Sequence, residues 1–250
     1  MMSNRASLKW QWVSAASGIG FIVLYTIFYG YFGHNLPPVS AGLNAVATAA
    51  FYSAHHTSIL FGESLAAVVG ILWVPWTAQL TVVMRRIEGE SAVLSMIQLS
   101  GGILTAWVLV FCPAFWATAA FIGGSDPNAV RTISDLGYLV FNITYMGTTL
   151  QAIAAGIVGL ADRSENPVFP RWVSYWAIFA GISFIPITLD PFFKTGAWSW
   201  SGSLNFWAWF GTYFVWTATM SWHMCKDASR RLGLDGGERK LLANASQTVS

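Results

Sequence analysis

The sequence predicts an all-α, polytopic membrane bundle of about six transmembrane helices with both termini on the cytoplasmic side. Three observations predict it. First, 55% of the 250 residues are hydrophobic and only 10% are charged. A soluble domain carries about 25% charged residues, so water cannot be the only solvent here. Second, the apolar residues fall in runs of at least the roughly 20 needed to cross about 30 Å of hydrocarbon. Third, the cations segregate by loop. A membrane β-barrel does not fit, because the runs lack period-two alternation.

The first span covers about 13–33. Arg5 and Lys9 precede it, as in a signal peptide. The run is long, however, and ends in Tyr29-Gly30-Tyr31-Phe32-Gly33 without an A-x-A type site, so it reads as an uncleaved first span. Asn35-Leu36-Pro37-Pro38 then marks a turn. The second span covers about 60–84, with a small, apolar lead-in from Ala41. A continuous helix from Leu43 to Met84 would be about 63 Å long at 1.5 Å per residue, twice the hydrocarbon thickness. A break is expected near Gly62, with a kink at Pro75, or else a separate short outer helix.

The third span covers about 93–121, the fourth 137–161, the fifth 171–190 and the sixth 203–224. Pro186 is expected to kink the fifth span, which Asp190-Pro191 ends. Residues 1–225 form the bundle and 226–250 a polar cytoplasmic tail, with a Gly236-Gly237 break. With six crossings and an inside start, eleven of the 13 cations fall on the cytoplasmic side; only Arg131 and Lys194 fall opposite. An odd number of spans breaks that partition. The expected location is a bacterial cytoplasmic membrane, with the lipid bilayer as the principal partner. A net charge of +2 gives no reason to expect nucleic acid.

Glu63 is the one acidic residue placed inside a span and clear of its last turn. An ionisable group at the bilayer centre costs about 2.5–3.5 kcal/mol on insertion scales, so it should face the bundle or water. Glu63, Ala66, Ala67, Gly70, Val74, Thr77 and Thr81 follow helical spacing and suggest a packing stripe. His34, His55, His56, Asp190 and Lys194 are expected at the same outer face, with Lys194 available to pair with Asp190. Their local spacing does not make a metal site: His55 and His56 are adjacent, and His56 and Glu63 lie about 10 Å apart along a helix. No metal is assigned, and no cofactor is identified.

Tryptophans divide into an interfacial set (Trp10, Trp12, Trp116, Trp172, Trp198, Trp200, Trp222) and a deeper set (Trp73, Trp76, Trp107, Trp176, Trp207, Trp209, Trp216). The deeper set, notably Trp73 and Trp209, is available to line an apolar pocket, with Asn142 and Tyr145 as polar contacts. In the fourth span, Gly147, Gln151, Ala155 and Gly159 form a packing face, and Gln151 is expected to donate an interhelical hydrogen bond. Cys112 and Cys225 belong at opposite membrane faces, too far apart for a disulfide.

Three functions fit this pattern. One is binding or movement of a small hydrophobic molecule through an outer polar mouth around Glu63, His55, His56 and Asp190. Another is a membrane-embedded enzyme on an apolar substrate, using Glu63 as acid or base. The third is a non-catalytic subunit of a membrane complex or oligomer. A charged ion relay ranks lower, because only one intramembrane carboxyl is found.

Overall fold

The computed structural model describes residues 4–233, and these are helical, with no strand among them. They form seven rods, five of which are long and apolar enough to cross a membrane. The first rod is α1 (Asn4–Tyr25), continued by a π-helical turn, Thr26–Phe32. A short helix α2 (Ala45–Ala54) follows, capped by the Asn44 side chain on the Ala47 amide. The next rod joins α3 (His56–Gly70) to α4 (Trp73–Glu88). Helix α5 (Val93–Ile122) is unbroken. The fifth rod joins α6 (Pro127–Ile143) to α7 (Met146–Ala161). Helix α8 (Arg171–Ser183) runs on into a 3₁₀ stretch, Ile185–Phe192. A π-helical turn, Ser203–Ala208, opens the last rod and leads into α9 (Trp209–Leu232).

The last rod is long enough to span a bilayer but is not among the five apolar rods, because Trp, Tyr, Thr and Ser recur along it. Helix α9 continues through Lys226 to Leu232 and ends at Gly233, in the left-handed conformation that favours glycine at a C-terminus. The Gly236-Gly237 break lies outside the described residues.

The helices close into a ring. Helix α1 packs on α9, α9 on α8, α8 on α7, α7 on α5, and α5 on α3 and α4, which return to the first rod. Large apolar side chains such as Phe121, Val68 and Trp222 point outward. In water that would be a liability, but in a bilayer it is the expected surface.

The long second segment breaks elsewhere than near Gly62. One break is at His55, which separates α2 from α3; the other is at Ile71–Leu72, just ahead of Pro75. Pro75 has no N–H to offer the Ile71 carbonyl, and Val74 takes that carbonyl in a tighter turn at 3.0 Å. The separate outer helix is therefore what forms. Gly62 has a different role: a Cβ there would sit 2.4 Å from the Gly33 nitrogen and 2.6 Å from the Phe28 carbonyl. Only glycine lets α3 and the first rod approach so closely. The tight turn before Trp73 also shifts the helical phase. Val74 leaves the expected stripe and is exposed, while Trp73 and Trp76 turn inward and are fully buried.

Pro113 lies inside α5 and leaves the Leu109 carbonyl without its helical donor. The Tyr25 hydroxyl donates to that carbonyl at 3.3 Å. The α5–α7 contact uses glycine on both sides: a Cβ on Gly101 would stand 2.5 Å from the Gly147 carbonyl. Nearby, Gln151 Nε2 donates to Thr77 Oγ1 at 2.9 Å, the expected interhelical bond. Of the tryptophans expected near span ends, Trp116 and Trp200 are buried in the protein. Trp116 is buried among aromatic rings, and Trp200 donates to the Val39 carbonyl at 2.7 Å. Trp107 and Trp207 are half-exposed on the outside of the bundle.

The polar contacts separate two ends. At one end, Asp227 of α9 pairs with Arg86 of α4 at 2.6 Å and with Arg230 at 2.9 Å, while Arg231 donates to Gln11. At the other end lie Arg131, paired with Asp135, and Lys194 beside the same carboxylate. Arg86, Arg230 and Arg231 thus lie together, apart from Arg131 and Lys194.

Candidate functional site

Three irregular stretches meet on one side of the ring. The α6–α7 rod is interrupted at Thr144–Tyr145, where the backbone leaves the α-helical ladder. The 3₁₀ stretch after α8 stacks residues three apart, so Ile187 and Asp190 share one buried face. The π turn before α9 shifts the phase of Asn205 relative to Trp209 and Tyr213. Irregular backbone at membrane depth is tolerated where it is buried in protein or lines a cavity. Here it lines one.

The cavity measures about 90 Å³. Phe21 and Tyr25 of α1 form one wall, and Thr105, Val108 and Leu109 of α5 form the back. Phe141, Asn142, Tyr145 and Thr148 come from the broken α6–α7 rod, and Phe184 and Ile187 from the end of α8. Asn205, Trp209, Phe210, Tyr213 and Phe214 complete it from the last rod. The aromatic rings brace one another: Phe141 stacks on Phe210 at 6.1 Å, and Tyr213 meets Phe184 at 6.3 Å. The rim is open near Thr144, which is exposed, and Phe214, which is half-buried.

Polar atoms are few and placed. Asn142 Nδ2 donates to Asp190 Oδ2 at 3.0 Å. Asn205 Nδ2 donates to the Trp198 carbonyl at 3.2 Å and faces the same Asp190 carboxyl. The hydroxyls of Thr105 and Thr148 lie 3.0 Å apart, and those of Tyr145 and Thr188 lie 2.6 Å apart. The Tyr213 hydroxyl is buried in the wall with no hydrogen-bond partner among the described residues.

The residues singled out from the sequence are not gathered at one mouth. Trp209 lines the cavity, and Asp190 stands one hydrogen bond behind it. Trp73 is packed behind the wall, stacked on Tyr213 at 5.2 Å. Lys194 forms no ion pair with Asp190; Asn142 holds Oδ2 of that carboxyl instead, and its Oδ1 is buried with no hydrogen-bond partner among the described residues.

Glu63 is fully buried elsewhere. Its Oε1 accepts from Asn35 Nδ2 at 2.6 Å, and Asn35 Oδ1 in turn accepts from the Tyr138 hydroxyl. This carboxyl ties the loop after the first rod to α3. His56 Nδ1 lies 2.8 Å from the Ala120 carbonyl, and His55 stacks on His34 at 4.0 Å. No histidine bonds to Glu63, so the geometry offers it no acid–base partner. Stacked imidazoles direct their lone pairs in parallel and cannot converge on one ion. Among the described residues no cluster of three or more His, Cys, Asp or Glu is assembled. Cys112 and Cys225 are free.

Sequence reasoning missed Asn205, Tyr213 and the Thr105–Thr148 pair. The available signal was Asn205, a lone amide within the aromatic run Leu204–Phe210. Compared with protein-family models, curated proteins and solved structures, the chain matches none.

Proposed function

We propose that this chain is a six-span membrane protein that binds a small apolar molecule, or the apolar end of a larger one, in the cavity between α1, α5, the α6–α7 junction and α9. The observation that carries the reading is the meeting of three irregular backbone stretches around one aromatic-walled space. Ordinary helix packing needs no such interruptions, and they cost backbone hydrogen bonds that are dear in lipid. Ligand sites are mostly apolar hollows with a few placed polar groups, and this wall has that composition. The volume sets a limit. About 90 Å³ is less than the roughly 150 Å³ of a cavity that takes up benzene, so the space holds a small head or ring with slight side-chain movement. The rest of a larger ligand extends through the open rim, which lies midway along the α6–α7 rod and so faces the lipid sideways.

In this reading the cation-rich Asp227–Arg86–Arg230 end faces the cytoplasm with both termini, which the excess of cations at that end supports. Glu63 holds structure rather than ligand in this reading.

The test is saturable binding of 4-hexylphenol to the protein in lipid nanodiscs, read by quenching of tryptophan fluorescence and referenced to empty discs. Binding that saturates in the wild type and in Glu63→Gln, and is lost when a bulky residue fills the cavity, supports the reading. Uptake no greater than that of empty discs overturns it.

A further inference from the structure

The cavity has a polarity of its own, set from behind. Asp190 is buried and does not line the space, but it dictates how the amides that do line it are turned. An amide has one donating and one accepting end. An acceptor-only carboxylate draws the NH₂ end of Asn142 toward itself, as the 3.0 Å bond shows. Asn205 is turned the same way: its NH₂ group is committed to the Trp198 carbonyl and lies toward the carboxyl. Neither Oδ1 has a protein donor among the described residues. With the NH₂ group of Asn142 turned to the carboxyl and that of Asn205 to the Trp198 carbonyl, the accepting end of each amide is left without a protein donor and open to a ligand.

The other polar groups of the wall do not reverse this. Tyr25 spends its proton on the Leu109 carbonyl, and Thr105 spends its own on the Gly101 carbonyl at 2.9 Å. Tyr145 is engaged with Thr188. The Tyr213 hydroxyl and the Trp209 indole N–H have no partner among the described residues and can donate to a ligand, but neither donates to an amide oxygen.

We infer that the site selects a ligand whose head donates a hydrogen bond, such as a phenolic or alcoholic hydroxyl on an apolar body, over one that only accepts. Asp190 is the positioning residue for that choice. The inference rests on the binding reading above and deepens it. In a dry site, a ligand without the donor leaves two amide oxygens unpaired, and a site built to hydrogen-bond one group discriminates against the analogue lacking it.

The experiment compares 4-hexylphenol with 4-hexylanisole, its methyl ether, in nanodiscs, with each affinity expressed per mole fraction in lipid. The two differ chiefly in the proton. The wild type is expected to prefer the phenol by about five- to tenfold. Asp190→Asn frees the Asn142 amide to turn either way, so the preference should fall to about twofold or less while anisole binding is retained. Asn142→Leu should lower the ratio similarly. A purely structural role for Asp190 predicts instead that both ligands weaken together at a constant ratio. Equal wild-type affinities for the two probes overturn the donor inference and leave the binding site standing. If neither probe binds, the binding reading fails, and the donor inference fails with it.

Discussion

Filling the cavity from its back wall is the most informative single perturbation. Val108 lies on α5, is 8% exposed and borders the space directly. Val108→Phe projects a ring into about 90 Å³. Empty core volume costs about 24 cal/mol per Å³, so complete filling would recover about 2 kcal/mol. A ring in an imperfectly shaped space also incurs strain, of order 1–3 kcal/mol when packing is forced. Stability should therefore change by no more than about 1 kcal/mol in either direction. Binding of 4-hexylphenol should weaken at least tenfold, because ring and ligand claim the same volume. Both quantities are read on one nanodisc preparation, by thermal unfolding and by fluorescence quenching. The matched control is Val82→Phe, on the exposed face of α4, which should leave binding unchanged. A well-folded Val108→Phe protein that binds the phenol as tightly as wild type would refute the assignment of the ligand to this space.

Three further outcomes follow from the packing and the charges. Gly62→Ala places a Cβ 2.4 Å from backbone that cannot rotate away and should cost about 1–3 kcal/mol or more, whereas Gly211→Ala meets nothing within 4 Å and should be neutral or stabilise by up to about 1 kcal/mol; paired thermal unfolding checks both. Asp227→Ala leaves Arg86 and Arg230 facing each other without their shared carboxylate and should cost about 1–2 kcal/mol, less than a fully buried pair because the arginines are partly exposed, as read by unfolding in detergent at low and high salt. Burial first, and the stacked His55 ring second, hold His34 below its ordinary value of 6.5. The unfolded chain then takes up the proton first, so the stabilisation is complete above about pH 6.5 and is lost as the pH falls through the folded value. His34→Asn, which tolerates the same positive φ, should remove that pH dependence from the melting curve.

The architecture was legible where a single element settles it. Helix α5 was expected over 93–121 and runs Val93–Ile122 because its apolar run is uninterrupted and Gly123 stops it. Gln151 announced its hydrogen bond because a lone amide on a small-residue face must find a partner in a dry bundle. The interruptions were less legible. Pro75 marked a weak point, but the chain broke three residues earlier, where Val74 could still satisfy a carbonyl. Thr144–Tyr145 holds neither proline nor glycine, and packing around Asn142 and Asp190 accompanies its break. The cavity was hidden for the same reason: its wall draws on five separate rods, and no local pattern records that Asn142, Asn205 and Trp209 share a space. Glu63 was rightly placed in the interior, but its partner Asn35 comes from a loop, so its structural role emerges only in three dimensions.

The most direct measurement is photolabelling of the protein in nanodiscs with a diazirine-bearing 4-alkylphenol, with the modified residues mapped by mass spectrometry. The account predicts labels on Tyr145, Phe184, Trp209 and Phe214 that disappear under excess 4-hexylphenol. Labels confined to outward-facing residues such as Trp107, Phe121 and Trp222, unaffected by competitor, would contradict it.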